Sequence, residues 1–512
     1  MDTIERTLLV NRIQSICGEM GGLLQRTALS PNIRDRLDFS CAVFDADGLL
    51  CAQAAHIPVH LGSMAFAMQD IVQRFQWRPG DTIILNDPYL GGTHLPDITL
   101  VSPVIVDQTL YGFVANRAHH ADIGAVTPGS MPVARTLAEE GYLISPSYLL
   151  ERGRRVDVTF DGILEHVHAP LITHADLSAQ SSTNERGVAL LSALINNSGP
   201  EKFHRGLDEI NDYAEQLALA GIRDIPEGTY EFQDYMDDDG AGTSDIPIRV
   251  KITVSPGNIC MDFTGTSPQV TGNINCPLSV TAAAVYYTCY CLMPEQTPAC
   301  AGSFRPIRIS APRGSLVNAA YPAAVAAGNV ETSTRIVDVV LGALAGAIPA
   351  RIPAASHGSM NNVALGTSRW DYYETLGGGM GGGPRFPGGS AVQTHMTNTL
   401  NTPVEILEMH YPIRIQRYQI RRGSGGQGQH RGGDGIIREF RFLEDATVTL
   451  LCERRLRPPW GLQGGAPGQC GINLLNNKPI PGKTRIEARA GDSLCIATAG
   501  GGGWGNGPLP DS

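Results

Sequence analysis

The reading of TIILNDPYLGGTHLPDITLVSPVIVDQTLYGFVANRAHHADIG, residues 82–124, decides the fold. Thr82-Ile-Ile-Leu85 is a short apolar run stopped by Asn86-Asp-Pro, which reads as a strand entering a loop. Residues 99–106 and 110–118 read as two further strands around an Asp107-Gln108 turn. The loop at 86–98 carries Asp87, His94 and Asp97, and the last strand runs out into RAHHADIG, residues 117–124. Pairing of neighbouring strands would bring His94, His119, His120 and Asp122 together, with Asp38, Asp87 and Asp97 as further carboxylates. Imidazole plus carboxylate is a ligand set for zinc, manganese or iron, and open positions would allow catalysis. The same groups without a metal would make a hydrolytic acid/base pair. Strand-end histidines also serve as plain hydrogen-bonding groups, and the spacing leaves all three readings open.

Outward from this stretch, residues 2–29 carry Ile4, Leu8, Ile13, Ile16, Met20 and Leu23 at helical intervals, and Ser30-Pro31 is expected to end that helix. The apolar runs on either side of Asp47-Gly48 signal a hairpin. Residues 61–76, 173–221, 279–292 and 336–344 read as helical, and 229–264 alternate as strands. The 59 glycines cluster at 377–383, 423–435, 461–468 and 500–507. Glycine serves positive φ or close approach, and the C-terminal third is expected to be short strands joined by tight glycine turns. The whole is an α+β chain: a multi-layer mixed fold with an N-terminal helix, strand ends that bind a metal and a Gly-rich C-terminal third. No domain break is obvious. The working subdivision is a metal-site region at 1–170, a mixed region at 171–380 and a Gly-rich β region at 381–512.

Composition narrows the function. With 512 residues, 42% hydrophobic and 17% charged, a large core can form. A net charge of −11 argues against nucleic-acid binding, which needs clustered Lys and Arg. The start lacks a signal-peptide pattern and no run of 18 apolar residues occurs, so a cytoplasmic protein without membrane spans is expected. The 11 cysteines lack a metal-binding or disulfide spacing and read as free thiols. No Gly-rich segment has the P-loop form; Gly482-Lys483-Thr484 has Asn477 where the motif needs glycine. Glu331, in NVETSTR, suits a helix start. Arg421-Arg422 and Arg454-Arg455 read as solvated surface, with anion binding as the alternative.

The segments NDPYLGGTHLPDI (86–98), RAHHADIGAVTPGSMP (117–132) and EEGYLISP (139–146) resemble the hydantoinase B/oxoprolinase family. So do GNINCP (272–277), GNVETSTRIVD (328–338), HMTNTLNTPVEILE (395–408), RGGDGIIREF (431–440) and GGGGWGNGP (500–508). The matches run in order over essentially the whole chain. The resemblance implies an ATP-dependent hydrolase that opens a cyclic amide: a lactam, a hydantoin or 5-oxoproline. Its alternative is a subunit of an ATP-dependent ketone carboxylase of the acetone or acetophenone type, using bicarbonate. It implies a larger hydantoinase A-type partner that binds ATP and magnesium, with two copies of each subunit, and bicarbonate as a further co-reactant of either reaction. It maps a divalent metal, zinc, manganese or iron, onto Asp38, His94, His119 and Asp122. His120 then becomes a catalytic group or alternative ligand, and Glu140 a second catalytic candidate.

Overall fold

The computed structural model describes residues 2–54 and 57–507. Met1 and Pro508, which belong to stretches read above, lie outside them. The region read from 82–124 forms the centre of a seven-stranded antiparallel sheet. Its order is Leu50–Ala54, Phe39–Asp45, Thr109–His119, Asp97–Val106, Thr82–Leu85, Ser147–Glu151 and Arg154–Arg155. The Asp107-Gln108 turn forms as read, with φ of 47° and 64° at its two residues. Such paired positive values match the right-handed twist of a two-residue hairpin. Gly48, with φ of 80°, turns the neighbouring hairpin. Antiparallel register sets Asp97 opposite His119 and Phe39 opposite Ala118. The ends of three adjacent strands therefore meet at one edge.

Helices cover this sheet. Thr3–Thr27 buries Leu9, Ile13, Ile16, Cys17, Met20 and Leu24 against it and against Pro170–Ser198. The helix stops at Ala28, before the expected Ser30-Pro31; Pro31 instead opens the short helix Pro31–Arg34, where its missing N–H costs nothing. The predicted 173–221 helix is two, Pro170–Ser198 and Pro200–Arg223, broken at Gly199 with φ of 82°. A second sheet, Ile307–Ser310, Asn258–Asp262, Ser244–Ser255 and Gly228–Asp238, packs on the buried helix Ser333–Ala345. Sheets of four and five strands complete the C-terminal part. The chain is thus the α+β fold expected from its sequence. Among the described residues no helix is long and apolar enough to cross a membrane.

Two expectations change. The glycine clusters are mostly close approach, not turns. Within 377–383 no glycine has positive φ; 423–435 and 461–468 hold one each, Gly423 and Gly464. These segments lie backbone against backbone: Gly379 N–H donates to Ala499, Gly382 to Gly502, Gly426 to Gly501 and Gly433 to Met380. A Cβ on Gly501 would sit 2.1 Å from the Met380 carbonyl oxygen, and one on Gly381 1.8 Å from that of Ala354. Nor are Arg454 and Arg455 free surface groups. Arg454 is buried between Asp234 and Asp338, and Arg455 bonds Asn361 and Asn473.

Candidate metal centre

The edge where the three strands end is polar and buried. Asp97 Oδ1 lies 3.1 Å from His94 Nε2 and 3.2 Å from His119 Nδ1, and the two nitrogens are 3.3 Å apart. All three residues are at most 2% exposed. His94 reaches the cluster from a loop held by its own backbone and by neighbours. The Asn86 side chain donates to Leu95 and Tyr142 and accepts from the Ile144 N–H. Buried Arg117 donates to Thr99, Ser63 and the Gly91 carbonyl. Gly91 permits the approach, because a Cβ there would meet the Ala67 backbone at 2.2 Å. Asp38 joins the edge through its carbonyl, which accepts the His119 N–H at 3.0 Å. Together with His60, Asn329 and Tyr373 these residues line a cavity of about 20 Å³, roughly the space of one small bound species.

Outer contacts fix each donor. The other Asp97 oxygen accepts from Thr93 and faces His60 Nε2 at 3.4 Å and Asn329 Nδ2 at 3.5 Å. Tyr373 stacks on the His119 ring at 4.8 Å and 15°, while its hydroxyl donates to Asn362. His94 Nδ1 is 3.3 Å from the Ala326 carbonyl oxygen. Burial alone would raise the Asp97 carboxyl, but the His94 charge and the hydrogen bonds from His119, His60 and His94 hold it well below the usual range. Burial lowers the His119 imidazolium. It also opposes a charge on His94, yet the adjacent Asp97 carboxylate prevails and raises that pKa.

These contacts fit a cation. A carbonyl oxygen can only accept, so Nδ1 of His94 carries a proton, and in the neutral ring Nε2 presents a lone pair. That lone pair faces the Asp97 carboxylate oxygen at 3.1 Å, an arrangement that repels unless a second proton or a metal lies between them. Donors each about 2.1 Å from one ion, at right to tetrahedral angles, sit roughly 3.0–3.4 Å apart; the three spacings here are 3.1, 3.2 and 3.3 Å. His119 Nε2, the ring nitrogen outside this triangle, is buried without a hydrogen-bond partner among the described residues.

Of the four residues mapped for the metal, the structure brings His94, His119 and Asp38 to one cavity and places Asp122 elsewhere. The Asp122 carboxylate accepts the His168 and Ala169 N–H groups at 2.6 and 2.7 Å, at the start of Pro170–Ser198, and groups with His168 and Asp371. Asp97 takes the place beside the histidines. The spacing H-x-x-D occurs twice, at His94–Asp97 and at His119–Asp122; the signal is present in the sequence, and the cross-strand pairing of Asp97 with His119 selects the first. His120, one residue on in an extended backbone, faces the other way. Its Nε2 is 3.0 Å from Gln180 Oε1, and it lines a separate cavity of about 300 Å³ with Asp122, Trp370 and Tyr411. Glu140 is fully buried and accepts the Val325 and Ala326 N–H groups. His60, Thr93, Asn329 and Tyr373 carry no local signal.

Comparison with known proteins agrees with the fold. The hydantoinase B/oxoprolinase family model matches residues 2–507, and the chain belongs to that family. It is 38% identical to 5-oxoprolinase 1 of Arabidopsis thaliana over 99% of this chain, but spans 42% of that protein's length. A second 5-oxoprolinase, from Dictyostelium discoideum, is also 38% identical over 99% of this chain, which covers 40% of its length. The fold matches the ATP-dependent caprolactamase of Pseudomonas jessenii with a TM-score of 0.93 at 26% identity, over 99% of this chain and 92% of that one.

Proposed function

We propose that this chain is the metal-carrying subunit of an ATP-dependent cyclic amide hydrolase. The observation that carries the metal reading is the triangle of His94, Asp97 and His119, whose donor atoms lie 3.1–3.3 Å apart, the spacing of ligands around one ion. The ligands are His94, Asp97 and His119, with Asp38 at the same cavity. Zinc, manganese or iron fits such donors. A bound metal would supply a Lewis acid for the amide carbonyl and lower the pKa of a water. The chain's own part is positional. Asp97 is held by Thr93, His60 and Asn329, and Tyr373 fixes the plane of His119. Burial of the cluster excludes bulk water, which strengthens every charge interaction within it.

The ring-opening reading draws on the names of the relatives, two oxoprolinases and a caprolactamase. An unstrained cyclic amide resists water, and coupling to ATP supplies the driving force. ATP is assigned to a larger partner of the hydantoinase A type. The glycine-rich amides of this chain support that assignment, since those at Gly379, Gly382, Gly426 and Gly433 already donate to backbone carbonyls and cannot cradle a phosphate.

The test is co-purification of this chain with its ATP-binding partner, followed by metal analysis and product analysis on lactams, hydantoins and 5-oxoproline. The expected results are one metal per chain, a ring-opened amino acid and phosphate released with it. His119→Ala should abolish metal content and substrate-dependent ATP cleavage. Retention of both would refute the assignment.

A further inference from the structure

Residues 322–326 run as a strap across His94. The Tyr89 hydroxyl donates to the Ala323 carbonyl and Asn275 to that of Ala324. The strap ends in the carbonyl of Ala326, which meets His94 Nδ1. It then enters a π-helical turn, Gly328–Thr332, which carries Asn329 onto Asp97. Two outer contacts of the metal cluster therefore depend on where this one strap lies.

The last two peptide N–H groups of the strap are held by one further side chain. Glu140 Oε1 accepts both the Val325 and the Ala326 N–H at 2.8 Å. The residue is 0% exposed. It is not among the residues that line the cavity at the histidines, so apart from a charge interaction with His94 it acts on the cluster through the peptide it holds. We propose that Glu140 is a positioning residue for the metal centre: it clamps the 325–326 peptide so that the Ala326 carbonyl fixes His94 with its proton on Nδ1 and its lone pair toward the metal. The inference rests on the metal reading above. It replaces the catalytic role that the family resemblance implies for Glu140.

The clamp needs one acceptor oxygen at the right distance and no charge transfer. Glu140→Gln keeps that oxygen, Glu140→Asp withdraws it by one methylene, and Glu140→Leu removes it. Zinc affinity of the purified protein should fall 10–100-fold in the Leu variant, as for lost outer partners of metal-bound histidine. It should fall less in the Asp variant and stay near wild type in the Gln variant. In zinc-loaded protein labelled with ¹⁵N-histidine, the His94 Nδ1–H signal should persist in the Gln variant and broaden in the Asp variant, which also serves if the Leu variant does not fold. Zinc binding in both the Asp and Leu variants at wild-type strength would overturn the clamp. So would a Gln variant that binds zinc normally but has lost turnover, since that marks an acid/base group. Wild-type protein that binds no metal would overturn the metal reading itself, and is distinguished from failure of the clamp alone by that control.

Discussion

Two regions of this molecule solve the problem of crowding backbone in opposite ways. At the edge of the seven-stranded sheet, strand ends converge and their side chains fill the space between them: two imidazoles and a carboxylate within 3.3 Å of one another. Across the glycine-rich segments, backbones converge because side chains are missing, and the N–H groups bond the carbonyls of the next segment. The first region leaves polar atoms aimed inward and is therefore poised to bind. The second uses its polar atoms internally and is therefore inert, although its glycines look like nucleotide loops in sequence.

The sharpest way to break this contrast is at the repeated H-x-x-D spacing. Asp97→Ala should remove metal from the protein, a loss larger than the roughly 10–100-fold of an outer contact. Asp122→Ala should leave metal content intact. It should lower stability instead, by about 1–3 kcal/mol, because the part-buried His168 and Ala169 N–H groups lose their charged acceptor. Metal analysis and urea melts on the two variants check this directly. Loss of metal in the Asp122 variant would undo the distinction between the two motifs.

The glycine region predicts the reverse pattern. Gly501→Ala places a methyl 2.1 Å from a backbone oxygen that has no rotamer to escape into. Overpacking costs about 1–3 kcal/mol, occasionally more, and the upper end is expected because backbone must move. Metal affinity of the folded fraction should not change. A variant as stable as wild type would show that these segments are looser than their hydrogen bonds imply.

What is legible in the sequence follows from the range of the forces. The strands at 82–85, 99–106 and 110–118 and the Asp107-Gln108 turn rest on local periodicity and turn chemistry, and they are readable. His94 and His119 are readable as strand-end groups. The exchange of Asp122 for Asp97 is not, because it depends on register between strands. Asn329 and Tyr373 come from positions more than 200 residues away, and no local pattern marks them. The glycine clusters mislead because glycine answers two needs, and only the neighbouring segments show which.

Glu331 connects through Asn362 to Tyr373, which stacks on His119, and it titrates. It is buried, and its Oε1 accepts from the Met360 N–H and the Asn362 amide, the latter also bonded to Tyr373. Burial, and then the nearby Glu453 charge against the pull of Ser359 and Lys483, push its pKa from 4.5 up to about 7. The folded protein therefore holds this proton more tightly than the unfolded chain. The resulting stabilisation is complete below pH 4.5 and is lost as pH rises from there to about 7. Glu331→Gln in metal-free protein should flatten the stability profile in that window. An unchanged slope in urea melts between pH 5 and 7.5 would remove Glu331 from the account.

The smallest effect tests whether glycine is required or merely present. Gly18 lies inside the helix Thr3–Thr27, exposed, and a Cβ there would meet nothing within 4 Å. Unlike Gly501, it serves neither close approach nor positive φ. It only adds freedom to the unfolded chain, at a cost of roughly 0.5–1 kcal/mol relative to alanine in a helix. Gly18→Ala should therefore raise stability by about that amount while metal content stays constant. The two alanine substitutions are the same chemical change, one methyl. Opposite signs in the same melt would show that glycine content alone says nothing, and that the atom facing each missing Cβ decides its worth.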